Sequence, residues 1–260
     1  THISFMKRSF IIAAFLLITA SAVAQVSGSS VYVGIAMPRK ASSAGPVLGY
    51  KYQYDLPVAG LGVIGSVDFT LYGADKDLRN ATDKAFNFWK ETFNYDDADA
   101  KTRHREPVNF AVPINFGANY HYSFGRIAPW AEAGIGFAPV FTSKQVYKGE
   151  KSESVRHEST NSHGRPVVSH ESGTRHRYEI TKYKPTVAFS WRIALGAILD
   201  EKYSVALSVD GLAKYNQKTV KSEDVKPYWN TSKDSYSRET EGERTTPGQA
   251  YVSIRFGYHF

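Results

Sequence analysis

The sequence predicts an all-β fold, an eight-stranded antiparallel up-and-down β-barrel that crosses a membrane. Eight segments alternate apolar and polar residues with a period of two, the pattern of strands with one apolar and one polar face. The connections between them are sorted into short turns and long polar loops, as in membrane barrels. Beyond the N-terminal segment, no window long enough for a transmembrane helix is free of charge, so a membrane-inserted chain would have to be a barrel.

A soluble β-sandwich is the alternative, because it is also built from alternating strands. It gives no reason, however, for connection lengths to be sorted or for aromatic residues to gather at one end of the strands. The sequence contains no cysteine, which excludes disulfides and attachment as a lipoprotein.

The N-terminal segment has the pattern of a secretory signal peptide, and we expect residues 1–24 to be removed. An uncleaved membrane anchor is the alternative, but the apolar run is shorter than the roughly 20 residues that span a bilayer. We expect residues 25–260 to form one barrel domain. The signal features are a start at Met6, basic Lys7 and Arg8, an apolar run over residues 10–20 and a small-residue cleavage site that ends at Ala24.

The predicted strands follow one another along the chain with a regular change of connection type. Both termini and the short turns at 56–60, 125–129 and 200–202 fall on one side of the barrel. A short turn after the first strand and three long connections, at 74–106, 148–178 and 217–247, fall on the other side. The strands are expected at about 31–37, 46–55, 61–73, 109–124, 131–141, 187–199, 203–210 and 248–260.

The last predicted strand has an apolar face that ends on an aromatic residue, with Ile254, Phe256, Tyr258 and Phe260 on that face. It resembles the C-terminal strand of bacterial outer-membrane barrels, which implies recognition by the barrel-assembly machinery. Together with the signal peptide and the strand alternation, it makes residues 25–260 similar to the small barrels of the OmpA/OmpX type. The resemblance implies a role in membrane integrity, adhesion or host interaction, and no catalytic centre.

Barrel closure requires the first strand to pair with the last, so residues 31–37 should pair with residues 252–260. An interfacial girdle of aromatic residues is expected at the short-turn end. Its predicted members are Tyr120, Tyr122, Phe124, Trp130, Tyr203, Tyr258 and Phe260.

If the apolar faces meet lipid, the opposite faces point into the lumen and bring six charges there. Three are positive and three negative, and a small barrel is only wide enough to be filled by side chains. Because buried charges must be paired, we interpret them as a structural polar plug, with a narrow gated channel as the alternative. The predicted network contains Lys51, Asp68, Glu132, Arg192, Asp210 and Arg255, with Asn115, Asn119 and His121.

The chain has more basic than acidic residues, and we interpret this excess of positive charge as a means of attraction to anionic lipid. Removal of the signal peptide lowers the formal charge from +7 to +5, and the long loops are close to neutral. No nucleic-acid motif accompanies the charge, so the expected partner is lipopolysaccharide. The basic residues expected at the outer rim are Arg39, Lys40, Lys144, Lys182, Lys184 and Lys214.

The long connections hold two further candidate features. A short amphipathic helix is possible within residues 83–94, where Phe86, Trp89 and Phe93 share one face. The loop at 148–178 carries regularly spaced histidines, but it lacks the compact ligand spacing of a zinc site. We therefore predict no metal site and keep as weak candidates His157, His163, His170 and His176.

An enzymatic role is not predicted. His121 and Ser123 partly match the His-x-Ser-Asn pattern of outer-membrane lipid A deacylases, but Phe124 stands where that pattern has asparagine. The predicted function is that of a monomeric surface barrel without a cofactor, whose loops contact an extracellular protein or glycan. A narrow channel and, less favoured, a lipid A-modifying enzyme are the alternatives.

Overall fold

The computed structural model describes residues 28–38, 44–56, 60–73, 76–95, 100–160, 162, 164–226 and 236–260. The predicted signal peptide and its cleavage site lie outside these residues. Over the ranges just given, no helix is both long enough and apolar enough to cross a bilayer.

Eight strands, one of them interrupted, form a closed antiparallel barrel. Each strand pairs with the next, and the circle closes through pairing of the last strand with the first and of two mid-chain strands with each other. The barrel strands are β1 (Ser29–Pro38), β2 (Gly45–Asp55), β3 (Leu61–Tyr72), the interrupted pair β5 (Asn109–Ala111) and β6 (Ile114–His121), β7 (Ile127–Thr142), β10 (Thr186–Leu199), β11 (Tyr203–Leu212) and β14 (Gln249–His259).

The pairing between β1 and β14 closes the wall and confirms the predicted seam. The register runs from Ser30 opposite His259 to Pro38 opposite Tyr251. Beyond the ladder, the backbone groups of Ser29 and Phe260 exchange two hydrogen bonds of 2.9 and 3.2 Å. The described residues leave no open edge in the barrel wall, so its backbone hydrogen bonds are made within the chain, as a hydrocarbon environment requires.

The barrel is apolar outside and polar inside, the reverse of a soluble protein. Outward residues at mid-barrel are strongly exposed, including Phe116 at 60%, Ile135 at 62% and Phe256 at 60% of their surface. Inward charged residues are buried instead, with Arg192 at 1% and Asp68 at 0%. A band of large apolar side chains around a closed barrel is stable only where lipid replaces water.

The predicted fourth strand is not continuous over residues 109–124. It breaks at Pro113, which has no backbone N–H to give to a ladder. The strand ends at His121, and Phe124 forms only an isolated bridge with Ile127. The carbonyl of Pro113 still accepts a hydrogen bond of 2.9 Å from the Asp68 N–H, so β3 remains attached across the break.

The segments predicted as long polar loops are largely folded. They form a second, five-stranded antiparallel sheet, here called the rim sheet, and a helix. The helix is also longer than the predicted 83–94. The elements are α1 (Lys76–Thr92), β4 (Ala100–Arg105), β8 (Gln145–Thr160), β9 (Pro166–Tyr183), β12 (Tyr215–Lys226) and β13 (Tyr236–Thr246).

The rim sheet continues one side of the barrel wall. Its strand order, β13-β12-β9-β8-β4, repeats the order β14-β11-β10-β7-β5 of the barrel strands to which those strands are joined in the chain. Short breaks separate the two levels, for example at residues 143–144, 184–185 and 213–214. The N-terminal end of β1 and the C-terminal end of β14 lie at the opposite end of the barrel.

The lipid-facing assignment of the outer wall predicts a position-dependent cost of charge. Ile135→Arg places a cation at mid-barrel on β7 and should lower the free energy of unfolding by about 2–4 kcal/mol. Val167→Arg is the matched control, because Val167 is also exposed but lies in the rim sheet, and it should change stability by less than about 0.5 kcal/mol. Denaturant unfolding of the protein in lipid vesicles measures both. Equal effects of the two substitutions would contradict the assignment.

Candidate functional site in the lumen and the rim sheet

Two arginines and two aspartates meet in the middle of the lumen. Arg192 Nε donates to Asp210 Oδ1 at 2.6 Å, and its Nη2 pairs with Asp68. Arg255 Nη2 donates to Asp210 Oδ2 at 2.6 Å, and its Nη1 lies 3.6 Å from Asp68 Oδ2. Each arginine therefore contacts both carboxylates, and the four formal charges cancel.

Neutral hydroxyl groups complete this four-charge cluster. Arg192 Nη1 donates to both Tyr32 Oη and Ser66 Oγ at 3.0 Å. The Tyr32 hydroxyl donates to Asp68, and Ser208 Oγ donates to Asp210 Oδ2 at 2.7 Å. These bonds matter because a buried ion pair offsets its desolvation cost only when its remaining donors and acceptors are also satisfied.

A second ion pair lies nearer the end of the barrel at which Ser29 and Phe260 meet. Lys51 Nζ is 3.0 Å from Glu132 Oε2, and both residues are buried. The Lys51 ammonium also lies 4.1 Å from the centroid of the Trp130 ring. Trp130 was predicted in the outer aromatic girdle, and that placement is wrong: it is buried, because it shares the inward parity of Glu132.

Little space remains in this part of the lumen. The cavity lined by Lys51, Trp130, Glu132 and Arg255, among others, has a volume of about 20 Å³. That volume is of the order of one water molecule. The side chains thus fill this part of the lumen, as the narrow interior of an eight-stranded barrel leads us to expect.

The three uncharged residues predicted for the lumen have different environments. Asn115 accepts a hydrogen bond of 2.7 Å from Ser190 Oγ, and both are buried. Asn119 is buried close to the backbone of Gly62. His121 is half-buried at the last position of β6, where its backbone N–H donates to the Gly60 carbonyl at 2.8 Å. The predicted network is therefore not one connected set.

On the rim sheet, the predicted aromatic face of the helix packs against strand β8. Phe86, Trp89, Tyr95 and Tyr147 form a buried cluster, with Phe93 against it. Burial, followed by the nearby charge of Glu179, raises the pKa of the Tyr147 hydroxyl to about 12. The helix is thus fixed to the sheet by aromatic packing.

A cavity of about 200 Å³ opens beside this cluster. It is lined by Thr92, Phe93, Asn94, Tyr95, Arg175, Arg177 and Val225. The Arg177 guanidinium lies 3.1 Å from the centroid of the Phe93 ring, and that of Arg175 lies 5.1 Å from the centroid of Tyr95. Arg175 Nη2 also donates to the Phe93 carbonyl at 2.7 Å, which orients the side chain. Two cations and two aromatic rings therefore line one concave surface.

The basic residues predicted for the rim lie largely at the boundary between the barrel and the rim sheet. Lys144, Lys184 and Lys214 occupy the breaks between the two levels, and all are exposed. Lys184 Nζ lies 3.3 Å from Glu241 Oε1. Lys182 is exposed near the end of β9. The other two residues predicted at the rim, Arg39 and Lys40, lie outside the described residues.

The four candidate histidines are distributed along the β8–β9 hairpin. The backbone register places His157 opposite Ser169 and His170 opposite Arg156. His176 is six residues beyond His170 on the same strand, which separates their Cα atoms by about 20 Å. Its Nδ1 lies 3.5 Å from Glu150 Oε1. His163 lies outside the described residues.

One group of side chains was not predicted from the sequence. Asp83, His104 and Glu106 bring one potential ligand atom each to within 4.8 Å of the others. The only sequence signal is the alternation of His104 and Glu106, which places both on one face of an extended segment. Asp83 joins them only because α1 docks against the sheet.

Among the comparisons with known proteins, only the comparison with solved structures found similar proteins. No family model and no curated protein sequence matches the chain. The major outer membrane protein of Thermus thermophilus has 9% identity and a TM-score of 0.46, with 90% of this chain and 99% of that chain covered. The N-terminal β-barrel domain of Pseudomonas aeruginosa OprF and the attachment invasion locus protein Ail of Yersinia pestis each have 10% identity and a TM-score of 0.34, with 90% of this chain and 97% of theirs covered.

Similarities of this size carry no argument about function. The register, the closure and the apolar outer wall decide the class of protein. The chain is a transmembrane β-barrel of the outer-membrane type.

The lumen cluster predicts a large difference between buried and exposed ion pairs. Arg192→Met leaves two buried carboxylates with one cation and should lower the free energy of unfolding by about 3–5 kcal/mol. Arg126→Met is the matched control, because Arg126 pairs with Asp200 at 2.5 Å on the exposed surface, and it should cost less than about 1 kcal/mol. Urea unfolding in detergent micelles measures the difference, and comparable losses would show that the cluster does not hold the barrel together.

Proposed function

We propose that the protein is a barrel of the bacterial outer membrane that binds a ligand at the cell surface. In this proposal the rim sheet lies outside the cell, and the N-terminal end of β1 and the C-terminal end of β14 face the periplasm. The observation that carries the proposal is the contrast between the lumen of the barrel and the rim sheet. The lumen is filled by paired charges, whereas the rim sheet and its docked helix form an ordered structure beyond the barrel. A barrel built in this way presents a surface and does not open a passage.

The proposed orientation follows from the two ends of the barrel. The connections from β2 to β3 and from β10 to β11 are short, and the strand ends that they join lie at the same end of the barrel as Ser29 and Phe260. In bacterial barrels the short turns are periplasmic and the longer connections face outward. This orientation places Lys144, Lys184 and Lys214 at the level where lipopolysaccharide phosphates lie, so that their charges would hold the rim against the membrane surface.

The proposed ligand is a glycan that carries acidic groups. The cavity between α1 and the rim sheet offers Arg175 and Arg177 for a carboxylate or sulfate. The rings of Phe93 and Tyr95 lie against the two guanidinium groups and position them. Guanidinium groups suit planar and tetrahedral anions because they donate paired hydrogen bonds. An acidic glycan therefore fits this cavity better than a neutral one.

A binding experiment tests this proposal. The protein in lipid nanodiscs is applied to an array of neutral, uronate-containing, sialylated and sulfated glycans. Binding should be confined to acidic glycans, and Arg177→Ala should weaken it about 10-fold or more, because a charge-assisted hydrogen bond contributes about 1.5–3 kcal/mol. Arg238→Ala, which removes an exposed arginine of β13, is the control and should leave binding unchanged.

Two results would contradict the proposal. One is the absence of binding to any acidic glycan, and the other is equal binding by Arg177→Ala and the unmodified protein. Planar-bilayer recordings of the same preparation test the channel alternative, for which steady single-channel conductance in the unmodified protein would be the supporting result.

A further inference from the structure

Asp83, His104 and Glu106 converge from two separate elements on one side of the rim sheet. Asp83 lies on α1, His104 lies on β4, and Glu106 follows directly after that strand. His104 Nε2 is 3.3 Å from Asp83 Oδ1 and 4.0 Å from Glu106 Oε1. All three side chains are partly exposed, so the group is open to an ion from solvent.

These distances suit a small divalent ion. Around zinc, nitrogen and oxygen ligands lie at about 2.0–2.2 Å, so two ligands of a tetrahedral site are about 3.4 Å apart. The His104–Asp83 separation is already close to this value, and the His104–Glu106 separation is longer by about 0.6 Å. The ligand atoms of Asp83 and Glu106 lie within 4.8 Å of each other, so the partly exposed Glu106 side chain has to move toward both partners when an ion binds.

The packing of the rim sheet fixes the position of the imidazole. His104 pairs with Tyr147 in the β4–β8 register, and its ring lies 4.7 Å from the ring of Phe86. Phe86 belongs to the buried aromatic cluster that attaches α1 to the sheet. Because the same cluster docks the helix that carries Asp83, packing positions the His104 imidazole and the backbone of Asp83 before any ion binds.

The charges of the group also match a divalent cation. Two carboxylates and a neutral imidazole carry a formal charge of −2, which one divalent ion neutralises. A nitrogen and two carboxylate oxygens form a ligand set that suits zinc, with water in the remaining position. An imidazolium ion paired with the two carboxylates would satisfy the same contacts without a metal, so the experiment must distinguish the two states.

We propose that Asp83, His104 and Glu106 bind one divalent transition-metal ion of the zinc type, which ties α1 to β4. The ion joins two segments that are otherwise connected through residues 93–99 and the aromatic cluster. The proposal is independent of the glycan cavity, whose lining contains none of the three residues.

Titration calorimetry with zinc tests the proposal. The full chain is purified in detergent without a histidine tag, stripped with a chelator and titrated at neutral pH. We expect one ion per chain with a dissociation constant in the micromolar range or tighter, and at least about a 10-fold weakening in His104→Ala and in Asp83→Asn. His176→Ala is the matched control, because it removes an imidazole that also lies beside a carboxylate in the rim sheet, and it should leave the affinity unchanged.

A second measurement guards against loss of fold. The variants should keep heat-modifiable migration on gels, and zinc should slow proteolysis between residues 76 and 105 in the unmodified protein but not in His104→Ala. The proposal is overturned if no ion binds below about 100 µM, if His104→Ala binds as tightly as the unmodified protein, or if His176→Ala causes the same loss.

Discussion

The four-charge cluster of Asp68, Arg192, Asp210 and Arg255 is the interaction on which the rest of the barrel depends. Its members come from β3, β10, β11 and β14, and Tyr32 adds a contact from β1. β10, β11, β14 and β1 are consecutive in the wall, and β3 lies across from β11, so the cluster connects two sides of the lumen. Removal of one cation would leave buried carboxylates uncompensated, so the cluster disfavours arrangements of the wall that separate the four charges.

The same cluster explains why the function should be sought outside the lumen. Paired charges in the middle of a small barrel leave little room for a conducting path, which is the basis of the proposal that the protein binds at its surface. The wall nevertheless continues on one side as the rim sheet, with strand order preserved. The barrel thus acts as a rigid base, and the docked helix, the arginine-lined cavity and the group around His104 all depend on that base for their positions.

The features of the barrel could be predicted from the sequence because a strand has an exact period of two. Parity alone brings Arg192 and Arg255 to the same side as Asp68, and it places Ile254 and Phe256 on the outside. The same rule would have placed Trp130 inside with Glu132. Trp130 lies near a short turn, and its position at the end of a strand does not override its parity.

There is a physical reason why the rim sheet could not be predicted from the sequence. Its edge strand β13 is exposed over residues 237–243, so its sequence, with Glu239, Glu241 and Glu243, lacks an apolar alternation. Its existence depends on β8 and β9 continuing strands that the barrel has already aligned. The group around His104 is still less visible, because Asp83 reaches it only through packing between Phe86 and Tyr147. Contacts of this kind have no local signature.

The central claim is that the wall of the barrel separates lipid from a filled, polar interior, and spin labelling along β10 tests it most directly. The chain has no cysteine, so single cysteines can be introduced at Val187, Phe189, Ile193 and Leu195 on the outward face and at Ser190 and Ala194 on the inward face. In lipid vesicles, the outward labels should be accessible to oxygen and not to a water-soluble nickel reagent, and the inward labels should be inaccessible to both. Access of the nickel reagent to the inward labels, or the absence of any alternation, would contradict the account.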